Sequence, residues 1–108
     1  MISQQSQCPV AITLKVIGGK WKPFILYYLL KEKKRFGQLR RLLPQITQRI
    51  LTLQLRELER DGVISRTVYA EVPPRTEYSL TEFGKSLEPI LLIMFDWGEE
   101  FSKKIVEN

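Results

Sequence analysis

Histidine is absent from this 108-residue chain, cysteine occurs once and aspartate twice. The missing histidine removes the side chain most often used for general acid–base catalysis and for zinc binding. The glycine-rich phosphate-binding patterns of nucleotide enzymes are also missing, because the Gly-Gly-Lys fragment at residues 18–20 is too short to count. We therefore expect no enzyme activity, no bound metal and no cofactor.

The single cysteine, Cys8, cannot form a disulfide within the chain, so the fold must rely on its core. No apolar run is long enough to cross a bilayer. The first seven residues lack the basic start and apolar middle of a signal peptide. We expect a cytoplasmic protein with no membrane partner, built as one domain over residues 1–108, with residues 1–7 as a flexible arm.

Positive charge is concentrated in the middle of the chain. Residues 15–66 carry thirteen basic and four acidic side chains, a balance of +9, within a net charge of +5. Residues 67–108 carry four basic and eight acidic side chains, a balance of −4. This asymmetry favours a surface that faces a polyanion such as a nucleic acid. A solvated charged surface is the alternative.

Apolar periodicity predicts two helices before residue 35. Pro9 suits the first turn of a first helix, which ends at Gly18 and Gly19. A second helix follows, because apolar residues recur with helical spacing along one stripe. The members of that stripe are Trp21, Phe24, Ile25, Tyr28 and Leu29.

Two further helices form a helix-turn-helix candidate. The third begins near Phe36 and stops before Pro44, because the residue before a proline disfavours helical geometry. Thr47 is predicted to cap the fourth helix, and Asp61-Gly62 to end it. The buried stripe of the fourth helix is predicted to consist of Leu51, Leu55 and Leu58.

The remaining residues predict a hairpin and a last helix. Residues 63–80 are rich in β-branched and aromatic side chains and are interrupted by Pro73-Pro74, which is typical of a hairpin with a rigid tip. Thr81 is predicted to cap a long final helix, in which Pro89 indicates a kink or a later start. The fold class is mainly α with a small antiparallel β-hairpin, a winged helix-turn-helix with additional N- and C-terminal dimerisation helices.

The sequence resembles the HxlR family of winged-helix transcription regulators, relatives of the MarR type. The resemblance is carried by Cys8-Pro9, IGGKW at residues 17–21, RFGQLRRLLP at 35–44, ITQRILTLQLRELERDGVI at 46–64 and RTVYAEVPPRTEYSLTEFG at 66–84. It departs from the family at Leu53, where we expect a polar residue, and at Thr47, where serine is usual. The resemblance implies a DNA-binding regulator, with repression as the commoner sign.

The resemblance also implies that residues 47–61 form a recognition helix whose N-terminal half enters the major groove. Independently, helical periodicity turns the polar residues beside the leucine stripe outward. Arginine can read guanine and glutamine can read adenine. The alternatives are a solvated helix surface and, for Thr47, a plain helix cap. The predicted DNA contacts in this helix are Thr47, Gln48, Arg49, Thr52 and Arg56.

Two more DNA contacts are predicted outside the recognition helix. Arg75 lies on the stiff hairpin tip, where its guanidinium could meet a phosphate or the minor groove. Arg35, with Lys33 and Lys34, precedes the third helix and could contact phosphates. Solubility is the alternative explanation for this charged segment.

The last helix indicates a homodimer, because residues 90–95 are apolar around the whole circumference and need cover on more than one side. The first helix is its expected companion. Two-fold symmetry would place two recognition helices about 34 Å apart, facing an inverted-repeat operator. An unusually buried monomeric helix is the alternative. The predicted dimer residues are Val10, Ile12, Leu14, Leu87, Leu91, Met94, Phe95 and Phe101.

Cys8 is a candidate redox sensor, because the positive end of a helix lowers a thiol's pKa. The resemblance adds that some family members respond to quinones or disulfide stress. With one cysteine per chain, the oxidised product is an intersubunit disulfide, a mixed disulfide or an adduct. A buried cysteine that acts as a small apolar side chain is the alternative.

A winged helix also serves as a protein–protein adaptor, and this is the main alternative function. RNA binding is less favoured, because the sequence shows no stacking platform of aromatic residues.

Overall fold

A computed structural model describes residues 8–107, so the predicted flexible arm at residues 1–7 lies outside the described residues. The helices are α1 (Pro9–Ile17), α2 (Lys22–Lys31), α3 (Phe36–Leu42), α4 (Gln48–Arg60), α5 (Glu82–Lys85) and α6 (Glu88–Glu107). The strands are β1 (Lys34–Arg35), β2 (Ile64–Tyr69) and β3 (Arg75–Leu80). Among these residues no helix is long and apolar enough to cross a membrane, and no three potential metal ligands cluster.

Local sequence signals set the ends of the helices. Pro9 opens α1 and Gly18 follows its last residue, as predicted. The hydroxyl of Thr47 accepts a hydrogen bond from the N–H of Ile50 at 3.1 Å and so caps α4. Such caps satisfy backbone donors that have no partner within the helix.

The prediction of one long helix from Thr81 is wrong. Thr81 caps the four-residue helix α5, and the chain then passes through Ser86 and Leu87 before α6 begins at Glu88. Pro89 lies in the first turn of α6, where its missing N–H breaks no helical hydrogen bond. The later helix start, which was the alternative, is therefore what the structure has.

The sheet contains three antiparallel strands in the order β1-β3-β2. Strands β2 and β3 form the predicted hairpin, with Ile64 opposite Leu80 and Tyr69 opposite Arg75. Strand β1 pairs Lys34 with Tyr78 and was not predicted, because two residues in a cationic segment carry no alternating pattern. This short strand joins the segment directly before α3 to the hairpin of β2 and β3. We call this hairpin the wing.

The core lies between α2, α3, α4 and one face of the sheet. Helix α4 contributes Leu51, Leu55 and Leu58, which are buried as predicted. The other buried apolar residues are Ile17, Ile25, Leu26, Leu29, Leu39, Leu43, Ile46, Val63, Ile64, Tyr78, Leu87 and Leu91. Because the leucine stripe faces inward, the opposite face of α4 lies in solvent.

A half-buried charge pair joins α2 to α4. The Nζ atom of Lys22 lies 2.7 Å from Oε1 of Glu57, and the two side chains are 8% and 31% exposed. The hydrogen bond from Lys22 and its positive charge lower the pKa of Glu57. This ion pair between α2 and α4 adds to the apolar contacts that hold α4 in place.

We expect Glu57→Gln to destabilise the protein more than Lys22→Met. The glutamine leaves a buried ammonium group without its counter-charge, at a cost of about 2–3 kcal/mol. Methionine instead leaves a carboxylate that water can reach and fills the buried site, so we expect a loss of about 1 kcal/mol or less.

Urea unfolding of both variants and the wild type tests this prediction. Because the pKa of Glu57 is lowered in the folded state, its contribution is present above the unfolded pKa. The difference between wild type and Glu57→Gln should therefore fade as the pH falls through the folded pKa. Equal losses in the two variants at pH 7 would contradict the prediction.

Candidate nucleic-acid interface

The outer face of α4 brings the predicted contact residues together. Gln48, Arg49, Thr52 and Arg56 line one continuous concave surface, which we call the α4 surface. Gln48, Arg49 and Arg56 are exposed and Thr52 is half-buried. The hydroxyl of Thr52 donates to the carbonyl of Gln48 at 2.9 Å. Three of these four side chains therefore expose polar groups on one surface of α4.

Thr47 lies at the N-terminal end of the α4 surface and already has a structural task. Its hydroxyl accepts the N–H of Ile50, as a helix cap does. The hydroxyl hydrogen is still available to donate to a ligand. Cap and contact are therefore compatible at this position.

The α4 surface also contains Leu53, at a position where the family resemblance predicts a polar residue. Its side chain is 48% exposed, although leucine is a core residue at most helix positions. The exposure of Leu53 follows from its place opposite the leucine stripe, so periodicity alone could have located it.

Arg75 lies at the base of the wing tip and is held by two carboxylates. Its Nη2 lies 3.1 Å from Oε2 of Glu71, and its Nε lies 3.6 Å from Oε2 of Glu77. The guanidinium also lies over the ring of Tyr69, 4.2 Å from its centroid. The predicted wing contact is therefore a paired cation, and Glu71 is the more exposed of its two carboxylate partners.

Glu77 ties the wing to the segment before α3. Burial alone would raise the pKa of Glu77, but the nearby polar groups of Lys33 and Tyr69 and the positive charges of Lys33 and Arg75 lower it. Oε1 of Glu77 lies 3.3 Å from the Nζ atom of Lys33. The carboxylate thus stays ionised and holds two cations beside the wing.

Arg35 is the second residue of β1 and lies directly before α3. It is exposed, its backbone N–H is bonded to Oε1 of Gln38 at 2.8 Å, and it borders the same cleft as the wing tip. Lys34, by contrast, is buried and its ammonium lies 3.5 Å from a carboxylate oxygen of Glu32. Lys34 is therefore a weaker candidate for a phosphate contact, because its side chain is only 10% exposed and its ammonium is paired with Glu32.

Most of the predicted dimer residues are exposed. In α1 they are Val10, Ile12 and Leu14, and in α6 they are Met94, Phe95 and Phe101. Leu87 and Leu91 are only 9% and 4% exposed, so their assignment to the dimer surface is corrected. They pack inside the protomer and have almost no area left for a partner.

Helix α6 also exposes apolar residues that sequence analysis did not assign to the dimer. Ile93, Trp97 and Ile105 are exposed and lie on the same side of α6 as Phe101. The rings of Trp97 and Phe101 are stacked, with centroids 5.3 Å apart. Their helical spacing was the signal that could have found them. We call Ile93, Trp97, Phe101 and Ile105 the α6 face.

Cys8 lies at the start of α1 and is exposed, so it is not a buried apolar residue in this protomer. The backbone amides of Ala11 and Val10 stabilise the thiolate and lower the pKa of Cys8. A thiol with a lowered pKa and open access is the kind that reacts with oxidants and electrophiles.

Known proteins resemble this chain over most of its length. The model of the HxlR-like helix-turn-helix family matches residues 16–106. The HTH-type transcriptional regulators YdeP and YybR of Bacillus subtilis strain 168 are 64% identical over 98 residues and 63% identical over 101 residues. These alignments cover 91% and 94% of this chain and 77% and 80% of the two relatives.

The fold also matches solved structures. The redox regulator HypR in its reduced form is 56% identical, with a TM-score of 0.89 and coverage of 94% of this chain and all of that chain. The oxidised form of HypR is 62% identical, with a TM-score of 0.83 and coverage of 86% and 96%. The predicted winged helix-turn-helix is confirmed, and the chain belongs to the HxlR-like helix-turn-helix family of transcriptional regulators.

Proposed function

We propose that the protein is a homodimeric repressor that binds an inverted-repeat operator in double-stranded DNA and responds to oxidants or electrophiles through Cys8. The observation that carries DNA binding is the α4 surface, where Gln48, Arg49 and Arg56 are exposed together. Major-groove edges offer hydrogen-bond patterns that arginine and glutamine match. The N-terminal half of α4 is the part that a helix-turn-helix protein inserts.

Cations beside the α4 surface supply the contacts to phosphate. Arg35 precedes α3 and Arg75 lies at the wing, and both border the cleft next to the wing tip. Phosphate contacts raise affinity and its salt dependence but carry no sequence information. Arg75 is already paired with Glu71, so a phosphate competes with that carboxylate for the guanidinium or binds its remaining N–H groups.

The dimer is supported by where the apolar surface lies. Of the eighteen large apolar side chains exposed in the described residues, twelve belong to α1 and α6. Exposed apolar side chains concentrated in this way mark an interface. A symmetric pair that buries α1 and the α6 face would present two copies of α4 to successive major grooves.

The thiol response is supported by the exposure and lowered pKa of Cys8 and by the likeness to HypR, which is known in oxidised and reduced forms. Two Cys8 thiols that join in an intersubunit disulfide lose two electrons and two protons, which diamide takes up to become a hydrazine. When a small thiol takes the place of the second Cys8, diamide takes up the same two electrons and two protons, and the product is a mixed disulfide; a quinone instead adds the thiol to its ring and gives an adduct.

Operator binding by the purified protein tests this function. The probe is the DNA upstream of the gene and its neighbours, before and after diamide or a quinone, with Cys8→Ser in parallel. We expect specific binding that oxidation abolishes in the wild type and leaves intact in Cys8→Ser. Specific binding indifferent to both reagents would discard the thiol response and keep the DNA-binding function.

We expect Arg49→Ala to weaken operator binding by about 1–3 kcal/mol and to leave the dimer intact. The lost guanidinium removes hydrogen bonds to a base, so discrimination at that base pair should relax as well. Arg60→Ala is the matched control, because Arg60 is exposed at the C-terminal end of α4 beside Asp61. Electrophoretic mobility shifts measure both variants, and normal affinity in Arg49→Ala would remove Arg49 from the site.

The alternative function is a protein–protein adaptor, and the observation in its favour is the same α6 face, which another protein could cover. A DNA-binding dimer loses affinity steeply as salt rises. An adaptor shows no specific binding to duplex DNA at any salt concentration, so one titration separates the two functions.

A further inference from the structure

Leu53 is the one apolar side chain among the described residues that line the α4 surface. Its neighbours there are Gln48, Arg49, Thr52 and Arg56, all polar or charged. Its side chain is 48% exposed in the isolated protomer, so about half of its apolar surface is accessible to a ligand. Leu53 is thus the apolar member of a surface whose other lining residues are polar or charged.

Neither the core nor the dimer surface explains Leu53. Successive residues of an α-helix are about 100° apart, so Leu53 lies about 160° from Leu51 and from Leu55. Those leucines are buried, and Leu53 therefore points away from the core. The exposed apolar surface proposed for the dimer lies on other helices, α1 and α6.

The position of Leu53 along α4 is that of a base contact. It is the sixth residue of the helix, one turn after Arg49 and one turn before Arg56. Residues three and four apart share a helix face, so these three side chains form one row. The first two turns of a recognition helix are the part that reaches base edges.

The major groove offers one apolar group to such a side chain. Among the four unmodified bases, only thymine carries a methyl group at the groove edge, on C5. Apart from the small C5–H of cytosine, the other groups displayed there are hydrogen-bond donors and acceptors, which a leucine cannot match.

We infer that Leu53 packs against the C5 methyl of a thymine in each operator half-site and is a specificity-determining residue. The inference rests on the proposed DNA-binding function and deepens it. Arg49, one turn away on the same row, would bind the neighbouring base pair. Each half-site should therefore contain a thymine whose methyl group matters beside the base that Arg49 reads.

Replacing thymine by deoxyuridine tests the inference, because this change removes the methyl group and keeps every hydrogen-bonding group. Each thymine of the operator is replaced in turn, symmetrically in both half-sites. Dissociation constants are measured for the wild type, Leu53→Ala and Leu53→Met. Because Leu53 is exposed and alanine is a strong helix former, thermal unfolding of Leu53→Ala should match the wild type.

At one thymine position we expect the wild type to lose about tenfold in affinity when the methyl is lost from both half-sites. Leu53→Ala should show no further loss there and should bind the unmodified operator about tenfold more weakly than the wild type. Leu53→Met keeps an apolar side chain and should keep the sensitivity to the methyl group.

Two results would overturn the inference while the wild type still binds its operator. One is that no deoxyuridine substitution weakens the wild type, and the other is that each weakens the wild type and Leu53→Ala by the same factor. Failure of the wild type to bind any unmodified operator would be a different result, because it refutes the DNA-binding function itself and the inference with it.

Discussion

Gly84→Ala is expected to destabilise the protein by about 3 kcal/mol or more, or to prevent folding. A Cβ atom at Gly84 would overlap the backbone carbonyl oxygen of Val63. That oxygen accepts a hydrogen bond from the N–H of Thr81 at 3.1 Å, and the Thr81 hydroxyl donates to the carbonyl of Gly62 at 2.7 Å. The two backbone segments are thus bound to each other and have no room to separate.

Urea unfolding followed by circular dichroism measures this effect. Gly37→Ala is the matched control, because Gly37 is an exposed helix residue where a Cβ meets only the side chain of Arg41, at 3.6 Å. Alanine should stabilise that helix by about 0.5–1 kcal/mol. A Gly84→Ala protein that unfolds at the urea midpoint of the wild type would show that α5 does not pack against Val63 in this way.

Phe101→Asp is expected to convert the dimer into monomers and to lower operator affinity by about a hundredfold or more. Phe101 is exposed in the protomer, so the aspartate costs little in an isolated chain. At the proposed interface the same carboxylate would be buried without a partner, which destabilises the dimer by several kcal/mol. A monomer engages one half-site and loses the gain from two linked recognition helices.

Sedimentation equilibrium and a mobility-shift titration measure the two effects in one preparation. Phe83→Asp is the control, because Phe83 is an exposed phenylalanine on α5, outside α1 and α6. It should remain dimeric and bind the operator normally. A Phe101→Asp protein that is still dimeric at micromolar concentration would move the interface away from the α6 face.

The helices with strong local signals could be predicted from the sequence. Pro9 and Thr47 mark helix starts whatever the rest of the chain does, and the spacing of Leu51, Leu55 and Leu58 fixes which face of α4 is buried. The α4 surface follows from the same stripe, because residues opposite a buried row are exposed. This is why the exposed residues of α4 could be named from the sequence, while their role as base contacts stays a prediction.

The remaining features depend on contacts between distant parts of the chain. Strand β1 exists because β3 lies beside it, and its two residues have no strand pattern of their own. The partners of Arg75 include Glu77, two residues along the same strand, and Glu71, across the wing tip. A sequence shows these charges but not which of them meet, so the carboxylate partners of Arg75 could not be predicted.

The burial of the apolar residues of α6 also depends on contacts that the sequence does not show. Leu91 and Trp97 are both large and apolar, and the sequence places both on one helix. Only packing against the protomer shows that Leu91 is buried and Trp97 exposed. A helix that is apolar all round predicts that two sides need to be covered, and the dimer stays a prediction on that ground, but the pattern does not show which residues face the protomer's own core.

A salt titration of binding to the upstream DNA, with a scrambled duplex of equal length as competitor, tests the central claim most directly. The account predicts preference for the upstream DNA and a steep loss of affinity, on the order of a thousandfold between about 50 and 200 mM salt for about six phosphate contacts. Equal binding to the two duplexes, or none at low salt, would contradict sequence-specific DNA binding and favour the adaptor.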